Sequence, residues 1–197
     1  MASDRRRADR LEEIRELNRL FLAYVQVCAR HGRPCMGLPR RAARRLVEAQ
    51  PETLERLAQL PAALFRLDLE RAPGTRDRAA PEQHMDRMRL SLALTILNSA
   101  WHMARERGFE ARMFLHLSKT SVRRLRVTPL SGIPELAYTP NLLRCAFVES
   151  RLTWPALFQR EEPEAMRMLT LIALQPKVAP IERASNHLAL GGLRSYR

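Results

Sequence analysis

The fold is decided by residues 38–67, LPRRAARRLVEAQPETLERLAQLPAALFRL, because a later stretch repeats their pattern. The repeat is residues 117–146, LSKTSVRRLRVTPLSGIPELAYTPNLLRCA, which aligns without a gap at a separation of 79 positions (117 − 38). The identical pairs are Leu38/Leu117, Arg44/Arg123, Arg45/Arg124, Leu46/Leu125, Leu57/Leu136, Ala58/Ala137, Pro61/Pro140 and Leu64/Leu143. Chance pairing would leave only about two or three identities, given ordinary residue usage. The sequence therefore predicts a duplicated module.

The composition favours a folded, helical chain. With 197 residues, 46% of them hydrophobic, the chain can bury a substantial core. Only 6% of the residues are aromatic, and Leu, Ala, Arg and Glu are abundant, which favours helix over sheet. No apolar run is long enough to span a bilayer, and the acidic residues near the N-terminus argue against a secretory signal. We therefore expect a cytoplasmic protein without membrane association.

Apolar spacing predicts the helices of the first half. A stripe from Leu11 to Cys28 recurs every three or four residues, which predicts one long helix that ends near Gly32. Pro39 and Pro51 are suited to the first turns of two shorter helices. These helices are expected to end near residues 50 and 60, and the apolar segment 62–69 is expected to close the first core.

The second half is expected to repeat this plan. The predicted helices are residues 82–107, 119–126, 141–158 and 163–174. Gly108 is expected to stop the first of them, and Ser118 is the predicted N-cap of the second. Pro155 is expected to interrupt the third. The predicted class is therefore all-α, because strand signals are poor throughout.

These elements give a predicted division of the chain into four parts. Residues 1–70 form the first module, and residues 71–83, which are rich in turn formers, are the linker. Residues 84–158 form the second module, and residues 159–197 supply an additional helix and a loose tail. We expect the two small helical modules to lie as a pseudo-twofold pair.

The chain carries a large positive charge, with 34 Lys and Arg against 21 Asp and Glu, and a formal net charge of +13. Such an excess is typical of proteins that bind nucleic acid or an anionic surface. However, Lys119 and Lys177 are the only lysines, and an arginine bias also follows from a GC-rich genome. The charge therefore indicates either a phosphate-binding surface or codon usage spread over a solvated surface.

The repeated basic residues are the candidate DNA contacts. They are Arg40, Arg41, Arg44, Arg45, Lys119, Arg123, Arg124 and Arg126. Residues four apart lie on one face of a helix, so such pairs could reach successive phosphates. The alternative is a solvated arginine face that pairs with Glu48, Glu52 and Glu55. The helices on either side of Pro51 could also form a helix-turn-helix, although their turn lacks the frequent glycine.

The sequence offers no pattern for catalysis or metal binding. Its three cysteines, Cys28, Cys35 and Cys145, include no C-x-x-C pair, so we expect reduced thiols, with no disulfide and no zinc site. The five histidines are scattered, and no nucleophile, phosphate-loop or dinucleotide motif is present. We therefore predict a protein that is not an enzyme and uses no cofactor.

The repeated residues resemble the flagellar transcriptional regulator FlhD family. In the second half the resemblance lies in Met113-Phe114-x-x-Leu117-Ser118, Leu125, Thr128, Leu136-Ala137 and Leu142-Leu143-x-Cys145-x-Phe147. In the first half it lies in Leu17-Asn18, Phe21-Leu22-Ala23-Tyr24, Leu38-Pro39, Leu46, Leu57-Ala58 and Leu64-Phe65-Arg66-Leu67. Each half is thus similar to one small FlhD-like unit.

This resemblance implies an all-helical, DNA-associated activator subunit that works as a dimer with a zinc-containing FlhC-like subunit. Two modules in one chain would supply covalently what the family obtains by homodimerisation. The implied function is to scaffold the FlhC-like partner on promoter duplex DNA, with auxiliary contacts from arginine to phosphate. The alternative is a protein-interaction adaptor or secretion-associated assembly component that does not bind DNA. Association of the chain with further copies of itself stays open.

Overall fold

The structure, a computed structural model, describes residues 2–70, 83–139, 141–147 and 153–158. Most of these residues are helical, which confirms the predicted helical class. The predicted helix 163–174, the tail and residues 71–82 of the predicted linker lie outside the described residues. No helix in the described ranges is both long enough and apolar enough to cross a membrane.

The elements follow one another in two similar series. The first is α1 (Ala2–Arg30), α2 (Arg40–Glu48), α3 (Pro51–Ala58) and strand β1 (Phe65–Leu67). The second is α4 (Gln83–Glu106), α5 (Gly108–Phe114), α6 (Lys119–Val127), a 3-10 turn (Leu130–Gly132), α7 (Ile133–Ala137), strand β2 (Leu143–Cys145) and α8 (Thr153–Phe158). Helix α6 therefore begins and ends 79 positions after α2, and the turn with α7 occupies the positions 79 after α3.

Helix starts follow from local chemistry. Pro51 is the first residue of α3, where its missing N–H costs nothing. Ser118 caps α6, as predicted, because its hydroxyl accepts a hydrogen bond from the Ser121 N–H at 2.9 Å. Pro39 precedes α2 with an extended backbone (ψ 139°), so it is the cap residue instead of a member of the first turn.

One apolar core joins the two series. Helix α1 packs against α2, α3 and α4, and α4 packs against α5, α6 and α7. The buried side chains form a single cluster with members from both series. The Ser99 hydroxyl on α4 also donates to the Glu13 carboxylate on α1 at 2.5 Å.

A short antiparallel ribbon closes this core. Strand β1 pairs with β2 in the register Phe65↔Cys145, Arg66↔Arg144 and Leu67↔Leu143. The core face of the ribbon is formed by Phe65, Leu67, Leu143 and Cys145, all of which are buried. The ribbon is extended by the Ala146 N–H, which donates to the Leu64 carbonyl at 2.8 Å.

Besides the placement of Pro39, three further sequence expectations are wrong. Residues 143–145 form β2 inside the predicted helix 141–158, and β1 lies within the segment 62–69, because three-residue strands are too short to show an alternating pattern. Pro155 is the third residue of α8 and does not interrupt a helix, since the first turn does not need its N–H. Gly108 begins α5, and the break before it occurs at Arg107 (φ −148°).

A buried asparagine fixes the chain between α3 and β1. The Asn18 side chain is fully buried on α1, and its carbonyl oxygen accepts from the Leu64 N–H at 2.8 Å. Its amide donates to the carbonyl oxygens of Ala58, Leu60 and Ala62 at 3.1–3.4 Å. A buried polar group is tolerated only when its hydrogen-bond partners are present. The loop backbone therefore needs the Asn18 side chain, and the Asn18 side chain needs the loop.

We predict that Asn18→Ala lowers the free energy of unfolding by about 3 kcal/mol, because it leaves buried backbone groups without a partner. Urea denaturation measures the change. Asn98→Ala, the same substitution at an exposed position on α4, is the control and should change stability by less than about 0.5 kcal/mol. Equal effects of the two substitutions would contradict the role assigned to Asn18.

Candidate nucleic-acid interface

Helix α2 presents a basic outer face. Arg40, Arg41, Arg44 and Arg45 are all exposed, whereas Ala42 and Leu46 on the other side are buried. The apolar face is held against α1, and α2 also contacts α8. The helix therefore directs its guanidinium groups to solvent because its apolar residues are anchored in the core.

The acidic partners considered from the sequence do not neutralise this face. Glu55 is bound by Arg19 of α1, whose Nη2 and Nε donate at 2.6 and 2.9 Å. These hydrogen bonds hold the pKa of the Glu55 carboxyl below its usual value. Across the described ranges, no ion pair joins the α2 arginines to an acidic residue. The four arginines are thus a coherent positive surface.

The corresponding residues of α6 divide into two kinds. Lys119 and Arg123 are exposed. Arg124 donates to the Leu69 carbonyl oxygen, and Arg126 donates from Nε to the Ala104 carbonyl oxygen at 2.7 Å. The latter two side chains therefore join α6 to neighbouring backbone, and α6 offers a smaller free basic surface than α2.

The helix pair α2–α3 differs from a DNA-reading helix-turn-helix in the placement of its charges. The two helices are joined by the extended residues Ala49 and Gln50. In a helix-turn-helix the second helix enters the major groove. Here the arginine cluster lies on the first helix, and the second carries Glu52 and Glu55. The geometry therefore suits contact with phosphates better than readout of bases.

The three cysteines lie in the core. All are free thiols, and the Cys145 Sγ lies 3.3 Å from the Cys35 carbonyl oxygen. Burial raises the pKa of each thiol, most strongly for Cys145. Within the described part of the chain, no group of His, Cys, Asp and Glu side chains is arranged to hold a metal ion.

Aromatic and histidine side chains of the described residues serve packing. The Trp101 indole donates to the Thr128 carbonyl oxygen at 2.8 Å, which joins α4 to the end of α6. His102 lies edge-on to Trp101. His116 contacts the Ala63 carbonyl oxygen through Nε2 at 2.9 Å and lies edge-on to Phe147. These contacts give the side chains structural roles.

A second basic group was not identified from the sequence. Arg66 and Arg144 face one another across the β1–β2 ribbon, and together with Arg89 they line a cavity. These three arginines are far apart in the sequence, so the sequence alone does not show that they line one cavity. The sequence signal that could have found it is the pair of short segments Phe65-Arg66-Leu67 and Leu143-Arg144-Cys145, each with one arginine between apolar residues.

We predict that all three cysteines react slowly with an aromatic disulfide reagent in the native protein at pH 8, with Cys145 the slowest. Each unit by which a thiol pKa is raised lowers the thiolate fraction about tenfold, and burial also blocks access. Absorbance of the released thiolate measures the rates. An added thiol at the exposed position Ser131, in the variant Ser131→Cys, should react rapidly and serve as the control. Fast labelling of Cys145 before unfolding would contradict the buried placement.

Comparison with known proteins returns no relative. No protein-family model matches the chain. No curated protein and no solved structure matches it either. The likeness to FlhD therefore stays a prediction from the motifs, and the candidate interface is defined by the geometry of α2.

Proposed function

We propose that this chain is a subunit of a transcriptional activator complex, similar to FlhD, that scaffolds an FlhC-like, zinc-containing partner on promoter DNA. The observation that carries the proposal is the exposed face of α2. Arg40, Arg41, Arg44 and Arg45 form this face without an acidic partner in the described ranges. Contacts between arginine and phosphate position a protein on a duplex without reading its sequence.

The proposal includes a pseudo-twofold pairing of two modules. In support, α1 packs on α2 and α3, while α4 packs on α6 and α7, and α1 and α4 pack on each other. Strands β1 and β2, the last elements of the two repeats, pair in an antiparallel manner. A twofold axis perpendicular to the ribbon relates two equivalent strands in that direction. Pairing within one chain is intramolecular, which raises the effective concentration of each module for the other.

The two modules would contribute unequally to DNA. On α2 four arginines are available, whereas on α6 Arg124 and Arg126 already donate to backbone carbonyl oxygens. If four phosphates are neutralised by α2, the logarithm of affinity should fall with the logarithm of salt concentration at a slope of about −3.6. Binding should therefore be strong at low salt and weak in sequence preference.

A second candidate is a protein-interaction adaptor that does not bind DNA. It is favoured by large apolar side chains that the structure leaves in solvent. Among the described residues these are Leu20 (43% exposed), Phe109 (70%), Val127 (77%), Leu130 (58%) and Tyr138 (56%). Exposed apolar surface marks docking sites when it is contiguous. If the chain is such an adaptor, the basic face of α2 has no role in binding DNA.

We expect the double variant Arg40→Ala and Arg44→Ala to weaken binding to a fluorescent duplex and to make the salt slope shallower by about two. Fluorescence anisotropy at KCl concentrations from 50 to 200 mM measures the affinity and the salt slope, because contacts with phosphates weaken strongly over this range. The control is Arg30→Ala with Arg87→Ala, which removes the same charge from exposed positions on α1 and α4. Circular dichroism should show unchanged helicity in both.

Two results would contradict the proposed function. If both double variants reduce the slope equally, general charge and not α2 attracts the duplex. If the unmodified chain shows no salt-sensitive binding, alone or with a zinc-containing partner that purifies with it, the adaptor is the better description.

A further inference from the structure

A cavity of about 540 Å³ lies beside the β1–β2 ribbon. Tyr24 of α1, Arg89 and Ala93 of α4, and residues of both strands contribute to its wall. The loop before α2 and the segment before β2 complete the lining. Its volume falls within the range of about 300–1,000 Å³ that is typical of sites for small molecules.

Two arginines are held together in this wall by the strand register. Arg66 and Arg144 are directly paired across the ribbon, so their side chains leave the same face. The flanking residues Phe65, Leu67, Leu143 and Cys145 are buried on the other face, so the register cannot slip without exposing them. The register therefore holds two arginine side chains on one face of the ribbon.

A third guanidinium completes the positive wall. Arg89 of α4 is half-buried and lines the same cavity. None of the described residues that line it is Asp or Glu. Tyr24 and Asn141 are polar members of the lining, and Leu142 is among its apolar residues. The described lining of the cavity thus includes three arginines and no carboxylate.

We propose that this cavity binds a small phosphate-bearing molecule, with Arg66, Arg89 and Arg144 as its anchors. Guanidinium groups bind phosphate oxygens through paired, charge-assisted hydrogen bonds. A multiply charged phosphate group can satisfy several arginines, whereas one carboxylate carries a single charge. The ligand contacts both strands at once, so its binding is coupled to the integrity of the ribbon.

The proposed site joins the two halves of the chain. Arg66 belongs to β1 of the first series, whereas Arg89 and Arg144 belong to α4 and β2 of the second. A ligand that binds only the folded arrangement stabilises it by mass action. The site shares none of the arginines of α2, so it stands or falls independently of the proposed DNA contact.

Inorganic pyrophosphate is the probe for this proposal, because it presents two linked phosphate groups of small size. Thermal denaturation is followed with and without millimolar pyrophosphate, with NaCl added to equalise ionic strength. The full chain should melt at a higher temperature with pyrophosphate. Arg144→Gln and Arg66→Gln should abolish the rise, and calorimetry should show at least a tenfold weaker affinity. Arg41→Gln, which removes the same charge from α2, should retain the full rise.

The choice of variants also separates a loss of pyrophosphate binding from a loss of folding. Arg144 is exposed, so without pyrophosphate Arg144→Gln should melt at nearly the same temperature as the unmodified chain. Arg144→Lys keeps the charge and should retain part of the response. The proposal is overturned if pyrophosphate gives no rise, or if Arg41→Gln and Arg144→Gln lose it equally. It is also overturned if Arg144→Gln reduces duplex affinity and leaves the pyrophosphate response unchanged, because the arginines then belong to a DNA surface.

Discussion

The structure depends on the burial of α1 and α4 against one another. Helix α1 also covers α2 and α3, and α4 covers α5, α6 and α7, so the remaining apolar residues of each long helix must be shielded by the other. The ribbon closes this arrangement at one edge, with Phe65 and Leu67 from one strand and Leu143 and Cys145 from the other in the core. The two series are therefore parts of one hydrophobic core.

The core determines where the arginines of α2 and of the ribbon lie. The apolar side of α2 is anchored, which leaves its four arginines in solvent. The same anchoring of the ribbon forces Arg66 and Arg144 to share the opposite face. One group of arginines thus lies on an exposed helix face, and the other lines a cavity. Both consequences follow from which apolar residues must be buried.

The helices were predictable from the sequence because their signals are local. A few neighbouring residues are enough to recognise the apolar stripe of α1, Pro51 of α3 and Ser118 of α6. The sequence repeat then predicts the same order of helices in the second series. The strands were missed because three residues obtain their conformation from a partner far away in the chain. For the site, the exposure of Arg40 and Arg44 follows from helical spacing, whereas the bond from Arg124 to the Leu69 carbonyl oxygen depends on tertiary packing. The grouping of Arg66, Arg89 and Arg144 also depends on tertiary packing and therefore could not be predicted from the sequence.

Native-state hydrogen exchange under increasing denaturant tests the shared core most directly. The Cys145 N–H donates to the Met36 carbonyl oxygen at 2.8 Å, and the Ala63 N–H donates to the Phe114 carbonyl oxygen at 2.8 Å, so both amides report contacts between the two series. If the core is one cooperative unit, these amides should exchange with the same free energy as the central amides of α1 and α4. Exchange of α4, α6 and α7 at a lower free energy, while α1 to α3 stay protected, would contradict a single core.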